Sequence, residues 1–210
     1  PNEPIEIPKT SEVMEALTNN LQRDGVITLS PSGLTSYLMC PLRFYFRYAV
    51  GLTDEDEITE EVGAIEFGNI LHSAMQELYN SVGKKGIQQA DVQQIITKQK
   101  PLKELLHSIF CEEFLKGAQI PLEEFSGRNQ VAFNSILYTI NKMLRFDRDR
   151  APFTLVGHEQ DLSISLTIPR NHTNSPITIN LKGIAERIEE NGDALWLMDY
   201  KTGDPSQKGL

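Results

Sequence analysis

Two carboxylates and a lysine near the end of the chain, Glu186, Asp199 and Lys201, are of the types that hold a divalent cation and steady a phosphate. They lie in the segment KGIAERIEENGDALWLMDYKTG, residues 182–203. Ile184, Glu186 and Ile188 alternate along a first arm, and Asn191-Gly192 supplies the turn signal of a β-hairpin. The second arm, residues 194–201, is apolar almost to its end. Strand alternation puts Asp199 and Lys201 on one face with Leu195 and Leu197, and Tyr200 on the other. A carboxylate and an ammonium at the end of an apolar strand are costly unless they pair or hold a metal. With Glu186 across the hairpin, three polar groups converge where an ion and a phosphate could sit, with main-chain oxygen near Tyr200.

The rest of the chain must position that hairpin. Residues 11–24 show a helical rhythm through Val13, Ala16, Leu17 and Leu21, with Gly25 as the stop. In residues 30–52, Ser30 or Ser32 can cap a helix, and Pro41 predicts a kink near Cys40 and a second helix over 42–49. There Arg43 and Arg47 stand four apart among Phe44, Tyr45, Phe46 and Tyr48. Two readings stay open: a buried aromatic packing motif, or Arg43 and Arg47 touching DNA phosphate. Residues 66–79 form an amphipathic pattern, with Phe67, Leu71, Met75 and Leu78 on one side. His72 on that helix, taken alone, reads as structural.

Helical patterns resume over 90–99, 102–116 and 128–150. His107 and Cys111 are four apart but lack a second pair of ligands, so they read as core or surface residues. Lys142, Arg145, Arg148 and Arg150 suit a helix C-terminus, with a phosphate-tracking face as the alternative. From Phe153 the period falls to two. Residues 154–160, 162–168 and 177–189 predict strands, with a turn at 171–174 and His158 on the surface. The expected fold class is α/β: helices in the first two thirds, then a mostly antiparallel sheet.

The net charge of −9 and pI near 5.0 argue against a free-standing DNA binder. They do not exclude a metal-dependent phosphodiesterase, because a metal site needs carboxylates and a partner can supply the positive track. The acidic run at residues 54–61 reads as a solvated loop. Two cysteines argue against a disulfide framework. No stretch reaches the roughly 18 apolar residues of a spanning helix, and no signal peptide is visible. A cytoplasmic location without membrane contact is the expectation.

GIAERI followed by DYKTG resembles the active-site hairpin of the PD-(D/E)XK nucleases, most closely the RecB/AddB branch. Glu186 stands where that branch usually has Asp, which keeps the charge and adds one methylene. Two further stretches are similar to that branch: S-x-S-x-L-x-x-Y-x-x-C-P-x-x-F-x-x-x-Y from Ser30, and F-G-x-x-L-H ending at His72. The resemblance implies a restriction-endonuclease-like core that cleaves DNA with Mg²⁺ or Mn²⁺, as the nuclease module of a helicase–nuclease in double-strand-break repair. It implies Glu186 and Asp199 as metal ligands, Lys201 as the catalytic lysine, and His72 near the metal. Glu159 resembles the glutamate that precedes the metal hairpin.

The resemblance also makes Cys40 one ligand of an iron–sulfur cluster in a full-length protein, although a single cysteine holds none. In the chain as it stands Cys40 is expected to be a small buried residue. The implied organisation is an N-terminal extension over 1–29 and a nuclease-like domain over 30–210, incomplete at its C-terminus, since Gln207 has no tyrosine four residues on to complete a Q-x-x-x-Y helix. Two other readings stand beside it. One is an inactive module of the same fold that binds DNA or bridges subunits. The other is an unrelated domain in which Asp199 and Lys201 merely form a salt bridge.

Overall fold

The computed structural model describes residues 5–52, 62–83, 86–125, 127–169 and 176–201. The predicted turn at 171–174 and the acidic run at 54–61 lie outside them. The chain divides into two compact units, Pro1–Glu57 with Asp161–Ile184, and Ile58–Gln160 with Ala185–Leu210.

In the first unit, α1 (Ser11–Leu21) starts at Thr10, whose hydroxyl accepts the Val13 N–H at 3.4 Å. It stops before residue 24, where the period predicted its end. Asp24 and Gly25, both at positive φ, turn the chain into a hairpin of β1 (Gln22–Arg23) and β2 (Val26–Leu29). Ser30 caps α2 (Pro31–Met39) by accepting the Gly33 N–H at 3.0 Å. The expected break falls at Cys40, which is extended at φ −158° and separates α2 from α3 (Pro41–Tyr45). Cys40 is exposed, contrary to expectation. A residue between two helices leaves the helical conformation, and its Sγ turns back to accept the open Arg43 N–H at 3.4 Å. A π-helical turn (Phe46–Val50) follows and ends at Gly51, φ 76°. Phe44 is buried, packed against the rings of Tyr37 and Tyr48, while Arg43 and Arg47 are exposed.

Among the described residues the second unit holds four α-helices. α4 (Ala64–Val82) is entered at Gly63, whose N–H is accepted by the Glu66 carboxylate at 3.0 Å. It buries Ile70, Leu71, Ala74, Met75, Leu78 and Tyr79, a stripe at helical spacing. α5 (Gln89–Thr97), α6 (Gln99–Glu113) and α7 (Gly127–Arg150) present Val92, Leu102, Leu106, Phe110, Phe133, Ile136, Ile140 and Leu144 to the same core. Phe110 is its aromatic centre, with Phe114, Phe125 and Phe133 within 6.0 Å between ring centroids. Cys111 is buried beside it, and His107 turns to the Ile120 carbonyl at 2.7 Å.

Among the described residues three strands follow α7: β3 (Thr154–Ile168), β4 (Ile177–Asn191) and β5 (Ala194–Met198). The order in the sheet is β1-β2-β4-β3, with β5 also on β4. β4 runs parallel to β2, with Ile27 opposite Ile179, and antiparallel to β5. The parallel pair was not legible in the sequence, because β1 and β2 are too short to show a period. The two strands expected over 154–160 and 162–168 are one continuous strand. Glu159, at φ 45°, is a left-handed residue inside it, and such a residue lets a strand bend without ending. The hairpin turn is Gly192-Asp193, with Asn191 opposite Ala194 and Gly192 at φ 60°.

Replacing Phe110 by Ala should cost roughly 3–5 kcal/mol, the range for emptying a packed aromatic site. Urea unfolding of the two proteins measures it.

Candidate metal and phosphate site

The β4–β5 register decides what faces what. Arg187 lies opposite Met198 and Ile188 opposite Leu197, so Glu186 meets Asp199 just past the end of β5. Successive side chains alternate. Glu186 and Asp199 therefore share one face, and Arg187 and Tyr200 turn to the other. All of these groups, with His72 and Glu159, belong to the second unit.

On the first face the groups converge. Glu186 accepts the Tyr200 N–H through Oε2, which ties its carboxylate to the stretch carrying Asp199 and Lys201. Lys201 Nζ lies 2.5 Å from Asp199 Oδ2. From α4, His72 Nε2 sits 3.3 Å from the Tyr200 carbonyl oxygen, and Nδ1 lies 3.7 Å from Oε1 of both Glu186 and Glu159. The His72 ring meets the Tyr200 ring edge-on. Beyond His72 an open groove of about 550 Å³ runs along α4, lined by Asn69, Ser73, Gln76, Glu113 and Glu159.

Burial raises the pKa of Glu186, opposed by the Tyr200 N–H and reinforced by the hydrogen bond to Asp199. Asp199 is raised by burial but, on balance, lowered by its hydrogen bonds to Lys201 and Glu186. Lys201 is raised, first by its hydrogen bond to Asp199. The two carboxyls are thus pushed in opposite directions, Glu186 up and Asp199 down, and Asp199 also holds the ammonium.

Among the described residues no three His, Cys, Asp or Glu side chains close on one point as a finished metal cluster. The donor set nevertheless fits a divalent cation. His72 Nδ1 faces one oxygen each of Glu186 and Glu159, and its Nε2 faces the Tyr200 carbonyl, so nitrogen and oxygen donors border one region. Carboxylates and a carbonyl suit Mg²⁺, and an imidazole added to them suits Mn²⁺.

The other face holds a network that sequence reasoning missed. Arg187 is fully buried, donates to Asp147 at 2.8 Å and to the Tyr200 hydroxyl at 2.9 Å, and pairs with Glu189. Arg150 bonds Asp147 at 2.7 Å and also pairs with Glu189. Tyr79 donates its hydroxyl to Asp147, and its ring lies 4.2 Å under the Arg187 guanidinium. Two cations and two anions balance. Burial, ahead of the Asp147 charge, raises the Tyr79 phenol, and burial pushes Tyr200 up to about 12. His158, expected on the surface, stacks on Tyr79 at 5.8 Å, because the core helix offers that aromatic face to its strand. The signal available in the sequence was RFDRDR and ERIEE, charges that read equally well as solvated.

The family model described as the PD-(D/E)XK nuclease superfamily matches residues 28–210. The chain belongs to the PD-(D/E)XK nuclease superfamily. That membership closes the reading of an unrelated domain, and makes a nuclease of this α/β fold the coarse statement the chain supports. The chain is 29% identical over 194 residues to a subunit of an ATP-dependent helicase/deoxyribonuclease from Carboxydothermus hydrogenoformans, covering 85% of this chain and 16% of that protein. It is 28% identical over 190 residues to an uncharacterized protein from Rickettsia conorii, covering 87% of this chain and 20% of that one. The chain thus spans a fifth or less of the length of these curated relatives.

The two ion pairs of this nuclease-superfamily hairpin should behave oppositely. Arg187→Ala strands buried carboxylates and should cost roughly 3–5 kcal/mol. Lys201→Ala removes an exposed pair and should change stability by less than about 1 kcal/mol. Denaturant unfolding of both variants checks the contrast.

Proposed function

We propose that the chain is the metal-dependent deoxyribonuclease module of a larger helicase–nuclease. The observation that carries the reading is the convergence of Glu186, Asp199, His72 and the Tyr200 carbonyl, with Lys201 beside them. In this reading Glu186, Asp199 and His72 hold Mg²⁺ or Mn²⁺, with the Tyr200 carbonyl and Glu159 alongside. A bound ion would supply charge relief at phosphorus and a more acidic water. Lys201, already held by Asp199, presents positive charge toward a phosphate oxygen or orients the attacking water. The Tyr200 N–H fixes one Glu186 oxygen and leaves the other turned toward His72. Arg43 and Arg47, exposed and basic, are the proposed phosphate contacts in the first unit.

The name of the Carboxydothermus relative supports a DNA substrate and a helicase partner. A cytoplasmic role in double-strand-break repair and recombination is part of the same proposal. An iron–sulfur cluster in a longer protein would draw on the exposed thiol of Cys40. A second reading keeps the fold without cleavage, holding DNA or bridging subunits. It is favoured by the longer Glu186 arm and by the net charge of −9.

A labelled oligonucleotide incubated with Mg²⁺ or Mn²⁺ separates the readings. Cleavage should vanish with chelator and fall roughly 10²–10³-fold in Lys201→Ala, the usual cost of losing one transition-state donor. His72→Ala and Asp199→Asn should weaken Mn²⁺ binding followed by electron paramagnetic resonance. DNA binding without any cleavage would select the non-cutting module instead.

A further inference from the structure

The four cations near the end of α7 do not act alike. Arg150 is spent inside the buried network. Arg148 is held by Asp149 at 2.8 Å and Gln93 at 3.1 Å. Lys142 and Arg145 have no carboxylate partner among the described residues, and both are exposed. Residues 127–146 carry Arg128, Lys142 and Arg145 and no acidic residue, in a chain with 29 acidic residues. This helix surface is thus locally cationic on an acidic protein.

Beside those cations lies a built groove. It holds about 430 Å³ between α5, α6 and α7, with Gln99, Asn134, Tyr138, Asn141 and Arg145 among its lining residues. Its lining amides are bonded to one another and to the helix backbone: Gln99 donates to Asn141 at 2.9 Å and to the Ile96 carbonyl at 2.6 Å, and Asn141 donates to the Leu137 carbonyl at 2.8 Å. These bonds leave Gln99 Oε1 as an acceptor already in place. Tyr138 is 64% exposed, an unusual cost for an aromatic ring with an apolar face, and Lys142 Nζ lies 5.7 Å from its centroid.

We infer that this groove binds single-stranded nucleic acid. One base stacks on Tyr138, adjacent phosphates meet Lys142 and Arg145, and base or sugar edges meet the fixed amides. An exposed ring among cations without carboxylate partners is the recognition element of sequence-tolerant single-strand binding. A duplex offers no unstacked base to the ring, so the preferred strand is single. The groove shares no residue with the hairpin site, and its occupation does not require that site to cut.

The test is fluorescence anisotropy of a 5′-fluorescein oligo-dT 20-mer with the full chain in EDTA, so that no cleavage enters the reading. The Lys142→Ala/Arg145→Ala double variant should bind at least about tenfold more weakly at low salt. Its log–log salt slope should fall by about 1.4, at roughly 0.7 per lost single-strand phosphate contact. Tyr138→Ala should weaken binding by about fivefold or more, and Tyr138→Trp should restore it, as a stacking role requires. These residues are exposed, so circular dichroism should match the parent chain. Unchanged affinity in the double variant, no effect of Tyr138→Ala, tighter binding of a 20-base-pair duplex, or no binding by the parent chain would each overturn the inference. Because no divalent ion is present, such a failure is separate from a failure of the nuclease reading.

Discussion

A buried arginine organises the second unit. Arg187 sits between Asp147, Glu189 and the Tyr200 hydroxyl, with the Tyr79 ring beneath it, and has no solvent exposure. A guanidinium out of water is tolerable only with its charge matched by close partners. Meeting that demand fixes three elements at once: α7 through Asp147, α4 through Tyr79, and the hairpin through Glu189 and Tyr200. The site is the reverse side of the same arrangement. Glu186 precedes Arg187 and must face away from it, and Asp199 and Lys201 flank Tyr200 for the same reason.

α4 joins the two faces. His72 and Tyr79 are seven residues apart, about two turns on one side of the helix. Tyr79 anchors in the charge network while His72 reaches the Tyr200 carbonyl. The phenol of Tyr200 belongs to the network and its main chain belongs to the site. Displacement of the network would therefore move the histidine, the carbonyl and both carboxylates together, which is a physical reason to invest a costly buried ion cluster behind a metal-type site.

The exposed side of the hairpin is different in character. Leu195, Trp196 and Leu197 of β5 are each more than half exposed. A strand with consecutive exposed apolar residues is an adhesive surface. The apolar second arm was plain in the sequence, but its burial was not, since hydrophobicity specifies what a residue prefers rather than what is available to cover it. The same limit applies to Cys40, expected inside and found outside: a small apolar side chain next to Pro41 is equally suited to capping the following turn.

The sequence by itself determined the local elements and the types of group at the site. Stripes at helical spacing marked α4 to α7, alternation marked β4, an apolar run marked β5, and Asn191-Gly192 marked the hairpin between them, because each depends on neighbours within a few residues. Tertiary structure alone decided the rest. The short β1 pairs with β2, and β2 joins the sheet along β4, a partner far along the chain that no local pattern announces. The strand runs on through Glu159, at φ 45°, where the sequence pattern suggested two strands. Asp147, Arg150, Arg187 and Glu189 look like surface charges until distant segments bury them together, since the free energy of a charge depends on its surroundings and not on its position in the chain.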